Sequence, residues 1–350
     1  MSVRGLLREV WRNVESGTTR AVLGALVLAA TLIGVGLVDG LAKRDVFLAQ
    51  RAYRSAGAHI STIDSRGKVD AASCTALGEV PAIQGAIALR ERGVIRLDVI
   101  PDNPVAVYEV VGDPASLLGG DGAPEGGVAL SHSLAERLGV VPGSVISTAE
   151  GSANVAQVVT FANDGRNPIL ELAMLVPVPA TGQFDQCWTA VWPPDSFVDG
   201  LLFSTVVDNE AELGRLNRSQ GEPTSTQALL EARPTWFLPF LGAGAAAMLG
   251  FGLVRARRVE LALALQLGIS RRAQLMQVLL ETCVWLVTGF VFSATALSPV
   301  LRSLTADERL WMVKAGVTDL AGITCAAVAG TLIGLASISA QRLISWAKDR

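Results

Sequence analysis

Charged residues are scarce in this sequence. Asp, Glu, Lys and Arg make up 17% of the 350 residues, half of the residues are hydrophobic, and the mean hydropathy is +0.42. A chain of this length and composition is too apolar to be a soluble protein, so we expect membrane-spanning segments. The net charge is only −3, and no basic patch occurs apart from the flanks of the apolar segments. We therefore expect no nucleic-acid partner.

Residues that carry catalytic or metal chemistry are also few. The two histidines, His59 and His132, are far apart in the sequence, which argues against a metal site. No G-x-S-x-G nucleophile elbow and no G-x-x-x-x-G-K-[ST] phosphate loop occurs. Ser131-His132-Ser133 is better explained as a strand-to-helix cap than as a catalytic triad, because a nucleophile and its base are not sequence neighbours. We expect no enzymatic activity, no metal and no cofactor in this chain.

Four apolar segments are long enough to cross a bilayer. The uncharged run Ala21–Val38 would measure about 27 Å as a helix, close to the hydrocarbon thickness. It is longer than the apolar region of a signal peptide. We therefore interpret it as an uncleaved helix, with a cleaved signal peptide as the alternative. The predicted spans are residues 21–42, 236–254, 275–300 and 320–341.

Basic residues cluster before the first span, between the second and third spans, and after the last span. They are Arg4, Arg8, Arg12, Arg20, Arg255, Arg257, Arg258, Arg271, Arg272, Arg342, Lys348 and Arg350. Four spans place these clusters on one side of the membrane, and the positive-inside rule makes that side the cytoplasm. Residues 43–235 would then be extracytoplasmic. Lys43, Arg44, Arg51 and Arg54 oppose this topology, but large translocated domains largely escape the rule.

The segment 43–235 is predicted to be an α+β domain. Alternating apolar residues favour strands, Ser131–Leu138 favours a short helix, and the length suits two subdomains. Residues 44–58 and 209–233 are expected to form helical or irregular stalks. The predicted strands are Val94–Ile100, Val105–Val111, Gly127–Leu130, Val145–Thr148, Val155–Phe161, Ile169–Val178, Thr189–Trp192 and Leu201–Val207.

The predicted fold class is therefore a membrane α-protein with an extracytoplasmic α+β domain. One transmembrane helix precedes this outer domain and three follow it. The other predicted segments are a cytoplasmic amphipathic helix at 1–20, a cytoplasmic elbow at 255–274, an outer loop at 301–319 and a cytoplasmic tail at 342–350.

The elbow at 255–274 is not an ordinary hydrophilic loop. Gly268 is predicted to end one helix in a glycine-favouring conformation, and Ser270 is a plausible N-cap for the next helix. Five arginines accompany a set of apolar residues that would lie on the membrane or against a partner, namely Val259, Leu261, Leu263, Leu265 and Leu267. The pattern predicts a helix–glycine–helix elbow suited to docking a cytoplasmic partner.

Small and polar residues also occur inside the spans. Glu281 lies about ten residues into the helix that begins at Ser270, and a carboxylate at membrane depth usually has a partner or a task. We interpret it as a structural or coupling residue paired with Arg271 or Arg272, with ion translocation as the alternative. Gly36-x-x-x-Gly40 and Gly330-x-x-x-Gly334 permit close helix contact, which suits either dimerisation or packing within one chain.

The cysteines are divided between the outer domain and the spans. Cys74 and Cys187 fall in the outer domain, while Cys283 and Cys325 fall in spans three and four. An oxidising exterior allows a bridge between Cys74 and Cys187. The alternative is two separate buried thiols.

Together these features resemble the permeases of the MacB/FtsX type of ABC transporter, and the resemblance spans the whole chain. In the outer domain, GVALSHSLAERLG at 127–139 followed by PGSV at 142–145 is similar to the MacB pattern of a strand, S-x-x-L-A-x-x-L-G and G-D-x-V. Gln266 and Ile269 depart from the small residues that are usual around the elbow glycine. The matching elbow residues are Arg257, Arg258, Glu260, Leu267, Gly268, Ile269, Ser270, Arg271, Arg272 and Glu281.

The resemblance implies a permease subunit that uses ATP-driven mechanotransmission to export or extract a substrate outside the cytoplasmic membrane. That substrate would be a peptide, a lipid or lipoprotein, or a hydrophobic compound. Separate ATP-binding subunits, present as a dimer, would bind ATP and Mg²⁺, and a second permease copy or paralogue would complete the assembly. An extracytoplasmic protein is a further partner that the family allows. The implied ATPase contacts are Arg257, Arg258, Glu260, Gly268, Ser270, Arg271 and Arg272.

Two other functions fit the same sequence. An FtsX-like transducer would use the same motion to activate an extracellular cell-wall hydrolase without transport, and an outer domain with no groove would favour it. A sensory receptor with a ligand-binding outer domain is the third hypothesis. The absence of a recognisable cytoplasmic signalling domain in the sequence counts against the receptor.

Overall fold

The computed structural model contains a helical unit and an α+β unit. The helical unit comprises Met1–Leu48 and Leu229–Arg350, and the α+β unit comprises Ala49–Ala228. Among the described residues, four helices are long and apolar enough to cross a membrane, one before the α+β unit and three after it. This order confirms the predicted fold class. The described residues are 8, 11–17, 20–123, 126–162, 164–207 and 210–338.

Two predicted segments fall largely or wholly outside the described residues. The predicted tail at 342–350 lies wholly outside them, and most of the predicted amphipathic helix at 1–20 does as well. Within the predicted amphipathic helix, residues 11–15 are described and are helical.

The first membrane helix, α1 (Ala21–Ser55), is longer than the predicted span of 21–42. Its 35 residues correspond to about 52 Å of helix, which exceeds a hydrocarbon core of roughly 30 Å. Leu28 and Leu32 are buried in the helical unit, whereas Val22 and Leu26 are exposed. An exposed apolar face is expected where a helix meets lipid, because lipid tails are as apolar as leucine.

The α+β unit is built on one mainly antiparallel sheet. Its strands are β1 (Ile60–Asp70), β2 (Ile83–Leu97), β3 (Ile100–Val111), β4 (Gly120–Gly122), β5 (Val128–Ser131), β6 (Val145–Thr148), β7 (Gly151–Val159), β8 (Ala173–Pro177), β9 (Gln183–Val191) and β10 (Glu212–Arg215). Within the described residues their order is β10-β1-β9-β2-β3-β8-β5-β7-β4, and β6 pairs with β2 and β7. The pairs β3–β8 and β5–β7 are parallel.

Short helices cover the sheet. They are α2 (Ala71–Ala76), α3 (Pro114–Leu118), α4 (His132–Leu138) and α5 (Ser196–Phe203), and α6 (Thr226–Ala232) follows them. Cys187 and Trp188 are neighbours on β9 and belong to different buried clusters, because successive strand residues point to opposite faces. Cys74 of α2 forms a disulfide with Cys187, which ties the helix to β9.

Two predictions for the α+β unit are wrong, and two predicted strands have other bounds. Val94–Ile100 includes the turn between β2 and β3, and Ile169–Val178 begins in the 3₁₀ helix Pro168–Leu170 before β8. Leu201–Val207 is not a strand, because its first residues belong to α5. The carboxylate of Asp195 caps α5 by accepting a hydrogen bond of 2.9 Å from the backbone N–H of Phe197. The segment 209–233 is not only a stalk, since Glu212–Arg215 within it forms β10 along the edge of β1. A four-residue edge strand depends on its neighbour and leaves little signal in the sequence.

The remaining helices complete the helical unit. They are α7 (Leu238–Ala256), α8 (Arg258–Gln266), α9 (Arg271–Leu297) and α10 (Ala306–Ala336), with a 3₁₀ turn at Ser298–Ser303. The segment 301–319, predicted as an outer loop, is therefore mostly helical. The reason is a capping box, in which Thr305 and Glu308 each bond the other's backbone N–H and start α10 two residues after Leu304.

Glycines bring α7 and α10 into close contact. A Cβ atom on Gly330 would collide with the backbone of Ala247, and one on Gly250 would collide with the carbonyl oxygen of Ala327. Gly36 of α1 similarly packs against Leu297 at the end of α9. The structure thus uses both small-residue motifs for packing within one chain.

Candidate coupling site

Within the elbow between α7 and α9, the backbone leaves helical geometry at two points. Arg257 separates α7 from α8 with φ −105° and ψ 16°, outside helical geometry. Gly268, after α8, has φ +90°, a conformation that residues with a side chain rarely adopt. The Oγ atom of Ser270 then caps α9 by accepting a hydrogen bond of 3.3 Å from the backbone N–H of Ala273. The structure confirms the predicted roles of Gly268 and Ser270 in the backbone.

The inner side of α8 is fixed to the helical unit. Leu261 and Ala262 are buried in a cluster with Val254 and Val278. The buried side chain of Gln274 donates a hydrogen bond of 2.8 Å from Nε2 to the backbone oxygen of Leu261. Since α8 has only nine residues, these contacts rather than its intrinsic propensity hold it in place.

The outer side of the elbow is an exposed apolar tip with cations beside it. Leu267 is 77% exposed and Leu263 is 48% exposed, although leucine usually lies in the interior. Arg271 and Arg272 occupy the first turn of α9 and are exposed. Exposed apolar residues next to charged ones are typical of a surface that binds another protein or a membrane. Glu260, Gly268, Ile269 and Ser270 are exposed on the same elbow.

A buried ion pair links the start of the elbow to α9. Arg257 donates from Nη1 to Oε2 of Glu281 at 2.6 Å, and both side chains are less than one-tenth exposed. Arg257 also forms two hydrogen bonds to Glu260, from Nε at 3.0 Å and from Nη2 at 2.7 Å. Asn13 and Gln277 donate to Oε1 of Glu281 at 3.1 and 3.2 Å. The carboxylate of Glu281 is therefore well satisfied.

This network corrects the predicted partner of Glu281. We expected Arg271 or Arg272, but these side chains lie in the exposed first turn of α9. The end of α7 instead brings Arg257 against Glu281. Consequently Arg257 lies inside the elbow and braces it, while the other predicted contact residues remain at or near its surface. The geometry favours the structural or coupling role of Glu281.

The helical unit contains a second charged cluster that was not predicted from the sequence. Asp39 is buried near the end of the predicted first span and pairs with Lys43 at 2.6 Å and with Arg233 at 2.9 Å. The Thr235 hydroxyl donates to Asp39 at 2.8 Å, and Asp319 lies 3.6 Å from Lys43. The i,i+4 spacing of Asp39 and Lys43 is the sequence signal that would have revealed the pair. Because Lys43 is buried and paired, it is a poor topology marker.

In the run Ser131-His132-Ser133, Ser131 occupies the predicted N-cap position of α4, but its side chain makes no capping hydrogen bond. The Ser131 hydroxyl instead donates to the backbone oxygen of Glu171 at 2.9 Å and accepts from the backbone N–H of Ala173 at 3.3 Å, so it joins β5 to the start of β8. His132 is exposed at the start of α4. Across the described part of the chain, no group of three or more His, Cys, Asp and Glu side chains is arranged to hold a metal ion.

A polar pocket of about 370 Å³ lies beside the edge strand β10. On its wall the indole N–H of Trp188 donates to Oε1 of Gln186 at 2.9 Å, and Nε2 of Gln186 donates to Asp64 at 2.6 Å. Glu212 and Arg215 of β10 also line the pocket. The α+β unit therefore offers a groove with both acidic and basic groups.

These observations define a multi-pass membrane protein with a large α+β domain after its first helix and a braced elbow between its second and third spans. No family model matches the sequence, and no curated protein sequence is significantly similar to it. Several solved structures are similar to part of the chain, and three of them are described here.

The first is the periplasmic region of MacB from Actinobacillus actinomycetemcomitans, with 13% identity, a TM-score of 0.36, and coverage of 47% of this chain and 91% of that chain. The second is a domain of a putative permease protein from Porphyromonas gingivalis, with 17% identity, a TM-score of 0.32, and coverage of 51% and 98%. The third is the extracellular domain of the ABC-type transporter YknZ from Gram-positive bacteria, with 12% identity, a TM-score of 0.30, and coverage of 44% and 99%.

Proposed function

We propose that this chain is the permease subunit of an ABC transporter that works by mechanotransmission. The elbow carries this proposal, because it combines an exposed apolar tip with a rigid internal brace. A simple connection between two spans needs neither feature. A docking element needs both, since it must bind a partner and pass that partner's motion to the helices.

The partner in this proposal is a separate ATP-binding subunit. Leu263 and Leu267 would enter an apolar groove on it, and Arg271 and Arg272 would pair with acidic side chains at the rim. Such rim pairs contribute mainly to orientation and association rate. Closure of two ATP-binding subunits around ATP and Mg²⁺ would push the elbows of two permease chains. The Arg257–Glu281 pair would convey the movement from α8 to α9.

The α+β unit would handle the substrate on the extracytoplasmic side. A disulfide between Cys74 and Cys187 suits an oxidising compartment, which supports this placement. The polar pocket beside β10 favours substrate handling over the transducer hypothesis, for which a surface without a groove was expected. Export or extraction is therefore the function that we favour.

Gly268→Val tests the docking role of the elbow, with Gly244→Val as its matched control. Both glycines have open space around the position of a Cβ atom, but only Gly268 has a positive φ. Valine tolerates this conformation poorly, at a cost of roughly 1–2 kcal/mol or more, which corresponds to about tenfold in a docking equilibrium. The measurement is the amount of ABC ATP-binding subunit that co-purifies from the membranes of the native host, together with ATP hydrolysis in nanodiscs.

We expect Gly268→Val to insert normally and to lose about tenfold in both readouts, while Gly244→Val resembles the wild type. Unchanged co-purification and hydrolysis in Gly268→Val would show that the elbow is only a connector. Recovery of a cell-wall hydrolase with an otherwise intact complex would favour the transducer instead.

A further inference from the structure

A second pocket in the α+β unit has a strongly basic lining. Its volume is about 400 Å³. Arg51 and Arg54 of α1 line one side, His59 lies next to them, and Arg166 forms another wall. None of the described residues that line this pocket is acidic. Leu117 and Leu118 at the end of α3 add an apolar surface.

Two of these arginines make defined contacts within the α+β unit. The guanidinium of Arg166 is buried and donates to the backbone oxygens of Ala56 at 3.1 Å and Thr160 at 3.2 Å. Asp164 pairs with Arg166 at 3.1 Å and offsets part of its charge. Arg54 lies over the ring of Trp192, with 5.3 Å between its Cζ atom and the ring centroid. Ordered guanidinium groups lose less freedom when an anion binds them.

The pKa of His59 responds to burial and to the positive charges around this pocket. Its pKa is lowered from 6.5 to about 4, first by burial and then by the charges of Arg54 and Arg166. The Nδ1 atom of His59 is buried and has no hydrogen-bond partner in the described structure. The imidazole is therefore neutral near pH 7, and the arginines supply the positive charge.

We propose that this pocket binds the phosphate group of an anionic ligand. Arg51 and Arg54 would contact the phosphate directly, because a guanidinium presents paired N–H donors that match phosphate oxygens. Arg166 would contribute charge from the wall without giving up its protein partners. Leu117 and Leu118 would contact the less polar part of the ligand. The proposal does not depend on the transporter function.

Two sources of phosphate fit this chemistry, a phospholipid headgroup and a soluble phosphate compound. The chain has only two histidines, so histidine labelled with ¹³C and ¹⁵N gives one signal for the pocket and one for the exposed His132. We suggest recording the NMR titration of both residues in the full chain in phosphatidylcholine nanodiscs. Inorganic phosphate is then added at increasing concentration, and its binding is measured in parallel by equilibrium dialysis.

We expect saturating phosphate to raise the pKa of His59 by about one unit, because a bound anion cancels much of the arginine field. The pKa of His132 should stay constant. Arg51→Gln should weaken phosphate binding about tenfold or more. Arg92→Gln is the matched control, since Arg92 is an exposed arginine of the same unit that pairs with Glu150 away from this pocket, and it should bind like the wild type.

The source is distinguished by replacing part of the phosphatidylcholine with phosphatidylglycerol in phosphate-free buffer. A shift of His59 in that sample indicates a lipid headgroup, whereas a shift only with phosphate or glycerol 3-phosphate indicates a soluble ligand. Arg51→Lys retains the charge and serves as a second variant if Arg51→Gln does not fold. Absence of a His59 shift in all samples, or an equal shift in folded Arg51→Gln, would overturn the proposal.

Discussion

At the scale of single residues, the elbow depends on one buried ion pair. Placing Arg257 and Glu281 in the interior costs desolvation energy, which their attraction and additional hydrogen bonds offset only when both are present. The pair is therefore weak evidence of net stability. Its geometric effect is clearer, because it fixes the end of α7 against α9 and so sets the direction of α8.

Arg257→Met should destabilise the protein by roughly 3–5 kcal/mol, because it leaves the buried carboxylate of Glu281 without its charged partner. The double variant Arg257→Met with Glu281→Leu should recover a large part of that loss. Thermal unfolding of the full chain in detergent measures both effects. Arg92→Met removes an exposed partner of Glu150 and should cost less than about 1 kcal/mol. Additive single effects in the double variant would contradict the coupling.

His59 predicts a dependence of stability on pH. Its folded-state pKa of about 4 lies below the ordinary value of 6.5, so between these values the unfolded chain binds a proton that the folded protein does not. The stability contributed by neutral His59 is complete above about pH 6.5 and is lost as the pH falls toward 4. His59→Gln should flatten this part of the melting-temperature profile, while His132→Gln should follow the wild type. Parallel profiles for His59→Gln and wild type would refute the assignment.

At the scale of elements, glycines allow a close contact between α7 and α10. Gly250, Gly330 and Gly334 let the two backbones approach, which gains dispersion contacts where lipid supplies no hydrophobic driving force. The contact holds the second span against the fourth. The elbow helix α8 then extends from a supported end of α7.

Gly330→Ala should destabilise the helical unit by about 1–3 kcal/mol, because the new methyl group would overlap the backbone of Ala247. Gly322→Ala lies in the same helix with open space around it and should be neutral or stabilising by up to about 1 kcal/mol. Thermal unfolding of both variants in detergent separates packing from helix propensity. Equal melting temperatures would show that α7 and α10 do not touch at Gly330.

At the scale of the whole molecule, the arrangement predicts a topology. Single cysteines at Ser152, which is exposed in the α+β unit, and at Ser270, which is exposed in the elbow, place one probe on each predicted side. The exposed thiols of Cys283 and Cys325 are first replaced by serine. In intact cells an impermeant maleimide should label Ser152→Cys, and it should label Ser270→Cys only after permeabilisation. Labelling of Ser270→Cys in intact cells would reverse the topology.

The order of the elements could be predicted from the sequence because it depends on local properties. Runs of apolar residues exclude water over the length of a helix, which identifies the four spans without any tertiary information. Gly268, two residues before Ser270, likewise identifies the elbow. A positive φ and an N-cap depend on only a few neighbouring residues and can therefore be recognised locally. The disulfide pairing was only one of two alternatives, because sequence contains no distance between Cys74 and Cys187.

The tertiary structure alone decided which distant segments contact each other. Arg257 and Glu281 are 24 residues apart, and only the packing of α7 within the helical unit determines that Glu281 meets Arg257 rather than Arg271. The edge strand β10 forms because β1 offers backbone groups for pairing. This condition cannot be recognised from the four residues of β10 alone. The basic pocket combines side chains from α1 and from the segment around Arg166. Local sequence determines which elements form, and burial against other elements determines which side chains share a site.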